Sequence, residues 1–114
     1  MNTKICTTTE QSKKLMELGL NIDTADMFYR DNGQDVKLMW EHLPNILITT
    51  PAWSLSALLE LMPNISGETP IIKKQINGNK WACWYESWHI IKEGNTPLDA
   101  VFNMIVLLLE NKKI

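Results

Sequence analysis

The chain has 114 residues, a formal net charge of −2, and 45% hydrophobic against 21% charged residues. That is the size of one domain with enough apolar content for its own core. Five Gly and five Pro exclude collagen-like and low-complexity chains, while two Cys are too few for a disulfide framework.

The first helix is expected over about 8–18. Thr7-Thr8-Thr9-Glu10-Gln11 offers two capping boxes, Thr7 with Glu10 or Thr8 with Gln11, and Gly19 suits the C′ position. Leu15, Leu18 and Ile22 form its apolar stripe. Residues 20–49 carry weaker signals. Met27-Phe28-Tyr29 and Val36 to Trp40 read as two strands joined by a turn at Asn32-Gly33.

A second helix is expected over about 51–62, with Thr50 as N-cap, Pro51 at N1 and Pro63 as the stop. Leu55, Leu58, Leu59 and Met62 follow helical spacing and mark its core face. Extending that wheel puts Trp53 almost opposite the stripe. Either a second layer covers this indole or it lies on the surface.

Asn77-Gly78 is the strongest local signal. This pair favours a type I′ turn and predicts a hairpin over about 71–88. A two-residue loop sets Ile76 opposite Asn79, Lys74 opposite Trp81, and Ile72 opposite Cys83. One face then carries Ile72, Lys74, Ile76, Trp81, Cys83 and Tyr85. The other carries Ile71, Lys73, Gln75, Lys80, Ala82, Trp84, Glu86 and Trp88, a mixture of lysines and tryptophans.

The last helix is expected over about 97–110. Thr96 caps it, Pro97 takes N1, and Asp99 sits at N3 where a carboxylate favours the positive end of the dipole. Its polar stripe is limited to Asp99, Asn103 and Glu110. A helix so apolar is buried on more than one side, either by its own chain or by another. The elements together predict a single two-layer α+β domain over 1–114. An antiparallel sheet of three or four strands around the hairpin packs against two or three helices.

Chemistry-bearing residues are sparse. Cys6, His42, Cys83 and His89 are scattered, without the paired spacing of a metal half-site. Glu86 and His89 lie on opposite faces of an extended strand, so Glu86 does not orient that imidazole, and Cys83 reads as a packed thiol and His89 as a solvent-facing imidazole. The glycines at 19, 33, 67, 78 and 94 are isolated, and no phosphate-binding loop or nucleophile elbow is present. No catalytic residue, metal or cofactor is assigned.

Charge is balanced along the chain. Residues 1–57 hold five basic and seven acidic side chains, and residues 58–114 hold six of each. Ten of the eleven basic residues are Lys, so the planar fork that reads phosphates and guanine edges is nearly absent. Met1 to Cys6 shows no apolar signal core. The longest wholly apolar run, Met104 to Leu109, is far shorter than the roughly 20 residues that cross a bilayer. A cytoplasmic protein with reduced thiols and no membrane partner is the expectation.

Three stretches carry a family resemblance. They are Met1-Asn2-Thr3-Lys4-Ile5-Cys6-Thr7 with Glu10-Gln11-Ser12-Lys13-Lys14-Leu15; Thr24-Ala25-Asp26-Met27 with Pro51-Ala52-Trp53-Ser54-Leu55-Ser56-Ala57-Leu58-Leu59; and Thr96-Pro97-Leu98-Asp99-Ala100-Val101-Phe102 with Leu109-Glu110-Asn111. Together they resemble small uncharacterised proteins of gut Bacteroides-type bacteria and of their phages and mobile elements. The resemblance implies a stand-alone accessory protein and transfers no activity.

The functional expectation is a non-enzymatic protein that binds a protein partner or itself, through Trp53, Trp84, Trp88, Lys73 and Lys80. Exposed Trp is a favoured interface anchor. The alternative is a single-stranded nucleic-acid binder that stacks bases on Trp84 and Trp88 between Lys73 and Lys80. A small enzyme using Cys83 or His89 is the third reading. Against all three stands a bland one, in which residues 20–49 simply cover the tryptophans.

Overall fold

The computed structural model describes residues 5–29, 36–38, 50–76 and 78–114, with the backbone alone for 36–38. Thr9–Glu17 form α1. Of the two capping boxes, the one used is Thr8 with Gln11: the Gln11 amide donates to Thr8 Oγ1 at 3.1 Å and the Thr8 amide to Gln11 Oε1 at 3.0 Å. Gly19 follows the C-cap with φ +91°, a left-handed conformation that glycine adopts without a Cβ penalty. Ile22 does not extend the stripe of α1. It opens a 3-10 turn at Ile22–Thr24 and is 54% exposed.

A first sheet, in the order β2-β1-β3, is antiparallel throughout. It is built from β1 (Met27–Tyr29), β2 (Val36–Leu38) and β3 (Thr50–Ala52). The expected pairing of 27–29 with the segment beginning at Val36 forms. The turn expected at Asn32-Gly33, and Trp40, lie outside the described residues.

β3 corrects the expected start of the second helix. Thr50 and Pro51 do not cap it; they pair with Tyr29 and Phe28 of β1. Proline is tolerated there because β3 is an outer strand of its sheet. The helix proper, α2, spans Leu55–Leu61, and its cap is Ser54, whose Oγ accepts from the Ala57 amide at 3.2 Å. Asp26 locks that cap. Its Oδ1 accepts from the Ser54 amide at 2.9 Å and its Oδ2 from the Ser54 hydroxyl. Leu58 and Met62 are buried as expected, whereas Leu59 turns outward at 38% exposure.

The second sheet, ordered β4-β5-β6, comprises β4 (Ile71–Lys74), β5 (Trp81–Tyr85) and β6 (Ile90–Gly94). β4 and β5 pair in the register the Asn77-Gly78 loop requires, with Ile72 opposite Cys83 and Lys74 opposite Trp81. The hairpin is shorter than 71–88. After Tyr85 the chain makes a 3-10 turn at Glu86–Trp88, passes through a left-handed His89 (φ 56°), and returns as β6. The Ser87 amide is held by Glu68 Oε1 at 2.9 Å, which anchors this turn.

α3 spans Pro97–Glu110 and lies against β6, β5 and β4 on one side and α2 on another, with its start near α1. The protein's own elements thus cover the very apolar helix. Leu98, Ala100, Val101, Phe102, Met104, Ile105 and Leu108 are buried, and Val106, Leu107 and Leu109 pack half-buried against the same core. Burial at roughly 1.5–3 kcal/mol per large apolar side chain makes this helix the main source of core energy. Gly94 admits the close approach: a Cβ there would lie 2.5 Å from the Ala100 nitrogen. Gln11 Nε2 donates to Asp99 Oδ1 at 2.9 Å and fastens α1 to the start of α3. The architecture is α+β, with α3 on one face of β4-β5-β6, α2 against α3, and a second small sheet beside α1. Among the described residues, no helix is long and apolar enough to cross a membrane.

Candidate functional site

The side of β4-β5-β6 away from α3 is the surface on which the sequence placed lysines and tryptophans. Strand alternation and the observed register give it two rows. Ile71, Trp84 and Ile91 form one row across β4, β5 and β6; Lys73, Ala82 and Glu93 form the next. Gln75 and Lys80 continue it toward the hairpin turn. Lys73 and Lys80 are exposed, Trp84 and Ile71 half-buried, and Ile91 57% exposed. A shallow groove of about 460 Å³ runs over this face, bordered by Lys73, Gln75, Ile76, Ala82, Trp84 and Ile91.

Ala82 is covered although it points outward. Gln75 Nε2, just past the end of β4, donates to Glu93 Oε2 of β6 at 2.6 Å, a bond that crosses above β5. Ala82, beneath that clasp, is only 4% exposed. The face therefore has an apolar row, then a basic and an acidic side chain on opposite outer strands, with Glu93 held by Gln75.

Of the five predicted surface residues, Trp84, Lys73 and Lys80 share this face. Trp53 does not lie on a surface. It sits in the extended link between β3 and α2, is 0% exposed, and its Nε1 donates to Thr24 Oγ1 at 2.9 Å. The helical wheel misplaced it because α2 begins after it. Trp88 has also left the face. The 3-10 turn carries its ring back toward the core, edge-on to Tyr85 with centroids 6.3 Å apart at 66°. Ile91 and Glu93 of β6 instead flank Trp84 and Ala82 on this face. The usual glycine or asparagine signal for a tight turn is missing before β6, since His89 supplies the left-handed residue. The β-branched pair Ile90-Ile91 is the one trace of the strand in the sequence.

The nucleophile candidates are enclosed. Cys83 is fully buried beneath α3, and burial pushes its thiol up to about 12, far from the thiolate that chemistry needs. Cys6 is buried beside the Tyr29 hydroxyl, with Sγ and Oη 3.7 Å apart. Burial first, and then Cys6 through hydrogen bonding and charge, raise Tyr29 to about 12. Tyr29 also donates to the Thr7 carbonyl at 2.7 Å. His89 is exposed on its turn, and His42 lies outside the described residues. Among the described residues no cluster of three His, Cys, Asp or Glu is placed to hold a metal ion.

No protein-family model matches the chain, and no curated protein or solved structure matches it either.

Proposed function

We propose that the protein works by protein–protein contact, through the outer face of β4-β5-β6. The observation that carries this reading is the row Ile71, Trp84 and Ile91 on the side of the sheet opposite α3, with Ile91 57% exposed. An aromatic anchor between aliphatic neighbours, rimmed by Lys73, Lys80 and Glu93, has the apolar centre and charged margin of a protein interface. The role is that of a non-enzymatic accessory protein, encoded by a bacterial or phage genome and acting in the cytoplasm. Two earlier grounds for it are gone: α3 is covered by its own chain, and Trp53 is core.

The nucleic-acid reading is weakened on the same face. With Trp88 turned away, Trp84 is the one stacking aromatic there among the described residues, and Glu93 adds a charge that repels phosphate. A photo-crosslinking residue at position 91, with one at the exposed position 17 on α1 as control, tests the proposal in lysate of the native cell. A protein adduct at 91 that vanishes on Trp84→Glu supports it; no adduct at 91, or adducts equal to the control, refutes it. Single-stranded oligonucleotide that quenches Trp84 fluorescence at low salt would favour the alternative.

A further inference from the structure

The charge layout of this face selects its occupant. We infer that a second copy of the chain packs face to face on β4-β5-β6 about a two-fold axis parallel to β5, an inference that rests on reading this face as a docking surface. Such an axis exchanges the outer strands and keeps each row at its own level. The β4 of one copy then lies over the β6 of the other. In the observed registers, Ile71 of one copy meets Ile91 of the second, and Trp84 meets Trp84. Lys73 meets Glu93, and by symmetry Glu93 meets Lys73, so each dimer gains two opposite-charge contacts from one pair of residues.

Packed sheets lie about 10 Å apart, a gap that a lysine and a glutamate side chain span together. The Gln75–Glu93 clasp already holds the carboxylate above the sheet at that level. An axis across the strands and midway between the two rows sets the Ile71, Trp84 and Ile91 row against the Lys73, Ala82 and Glu93 row, and one lying on the apolar row leaves Lys73 and Glu93 without each other; both are disfavoured. Three strands about 4.8 Å apart give a footprint well below the roughly 800 Å² per partner of a standard interface. The association is therefore weak, with half-dimerisation at high micromolar concentration.

Sedimentation velocity up to about 1 mM chain tests this, well above that expected dissociation constant. The wild-type protein is expected to rise from 13.1 kDa toward twice that mass. Lys73→Glu alone and Glu93→Lys alone, both at exposed positions, each weaken the dimer about tenfold or more by setting like charges together. An equimolar mixture of these two variants restores association, because the carboxylates at 73 and 93 of one meet the ammonium groups at 93 and 73 of the other. The double variant restores it too. Trp84→Glu abolishes it, as does Ile91→Lys, whose exposed position spares the fold; circular dichroism melts check that each variant is folded. A wild-type chain monomeric at about 1 mM, or a mixture that stays monomeric, overturns the inference. A dimer indifferent to these substitutions also overturns it, since another surface then carries it. If the position-91 crosslinker captures a different protein while the chain stays monomeric, this inference fails and the docking reading survives.

Discussion

Replacing Trp53 by alanine separates a core indole from a surface one. The side chain is fully enclosed, and its Nε1 is bonded to Thr24 Oγ1 at 2.9 Å. An indole of about 200 Å² at about 25 cal/mol per Å² corresponds to ~5 kcal/mol of burial, an upper bound because the unfolded chain is not fully extended. Trp→Ala substitutions in cores cost about 3–5 kcal/mol. A chain of this length has about 6–17 kcal/mol in all, so the loss is a large fraction. At about 4 °C per kcal/mol, Tm should fall by about 12–20 °C. Urea and thermal melts followed by circular dichroism measure both quantities. A change within about 0.5 kcal/mol, the range of ordinary surface substitutions, would refute the burial and return Trp53 to the surface. Thr24→Val should cost about 1–2 kcal/mol in the same assay by leaving the indole donor without its acceptor.

Gly94→Ala should destabilise by about 1–3 kcal/mol or more, because its Cβ would meet backbone atoms of Asp99 and Ala100 that cannot swing aside; an unchanged urea midpoint would contradict the close packing of β6 on α3. Ser54→Ala should cost about 1–2 kcal/mol, since one hydroxyl caps α2 and donates to Asp26, and a neutral result would show that Asp26 alone suffices. Alkaline pH should weaken the fold. Burial raises Cys83 from an ordinary 9.0, and Tyr29 and Tyr85 from 10.0, to about 12, with neighbouring Cys6 and Cys83 adding to the two tyrosines. The folded state keeps protons that the unfolded chain releases, so stability is intact below about pH 9 and falls between pH 9 and 12. Urea midpoints that stay flat across that window would count against burial of these groups.

Local punctuation made much of this fold legible. Thr96 and Pro97 start α3 where expected, β4 and β5 pair in the expected register, and Thr8 with Gln11 caps α1. The errors have a common origin, which is that tertiary partners chose among local alternatives. Thr50-Pro51 reads as a helix start, but β1 recruits it as a strand and Ser54, held by Asp26, becomes the cap. That shift alone moves Trp53 from a helix face into the core. β6 was hidden because the turn before it depends on His89 in a left-handed conformation and on Glu68 reaching the Ser87 amide, contacts distant in sequence or atypical in residue type. The candidate face was half legible. Its β4 and β5 members follow from alternation, while Ile91 and Glu93 needed the third strand.

Concentration-dependent amide and indole NMR shifts test the central claim most directly. Between about 50 µM and 1 mM, a span chosen to bracket weak association, the Trp84 indole and the amides of Ile71, Lys73, Ala82, Ile91 and Glu93 should move together along one binding curve. The Trp53 indole should not move. Shifts confined to α1 or α2, or spectra unchanged across the range, would contradict the claim that the outer face of β4-β5-β6 meets a second copy.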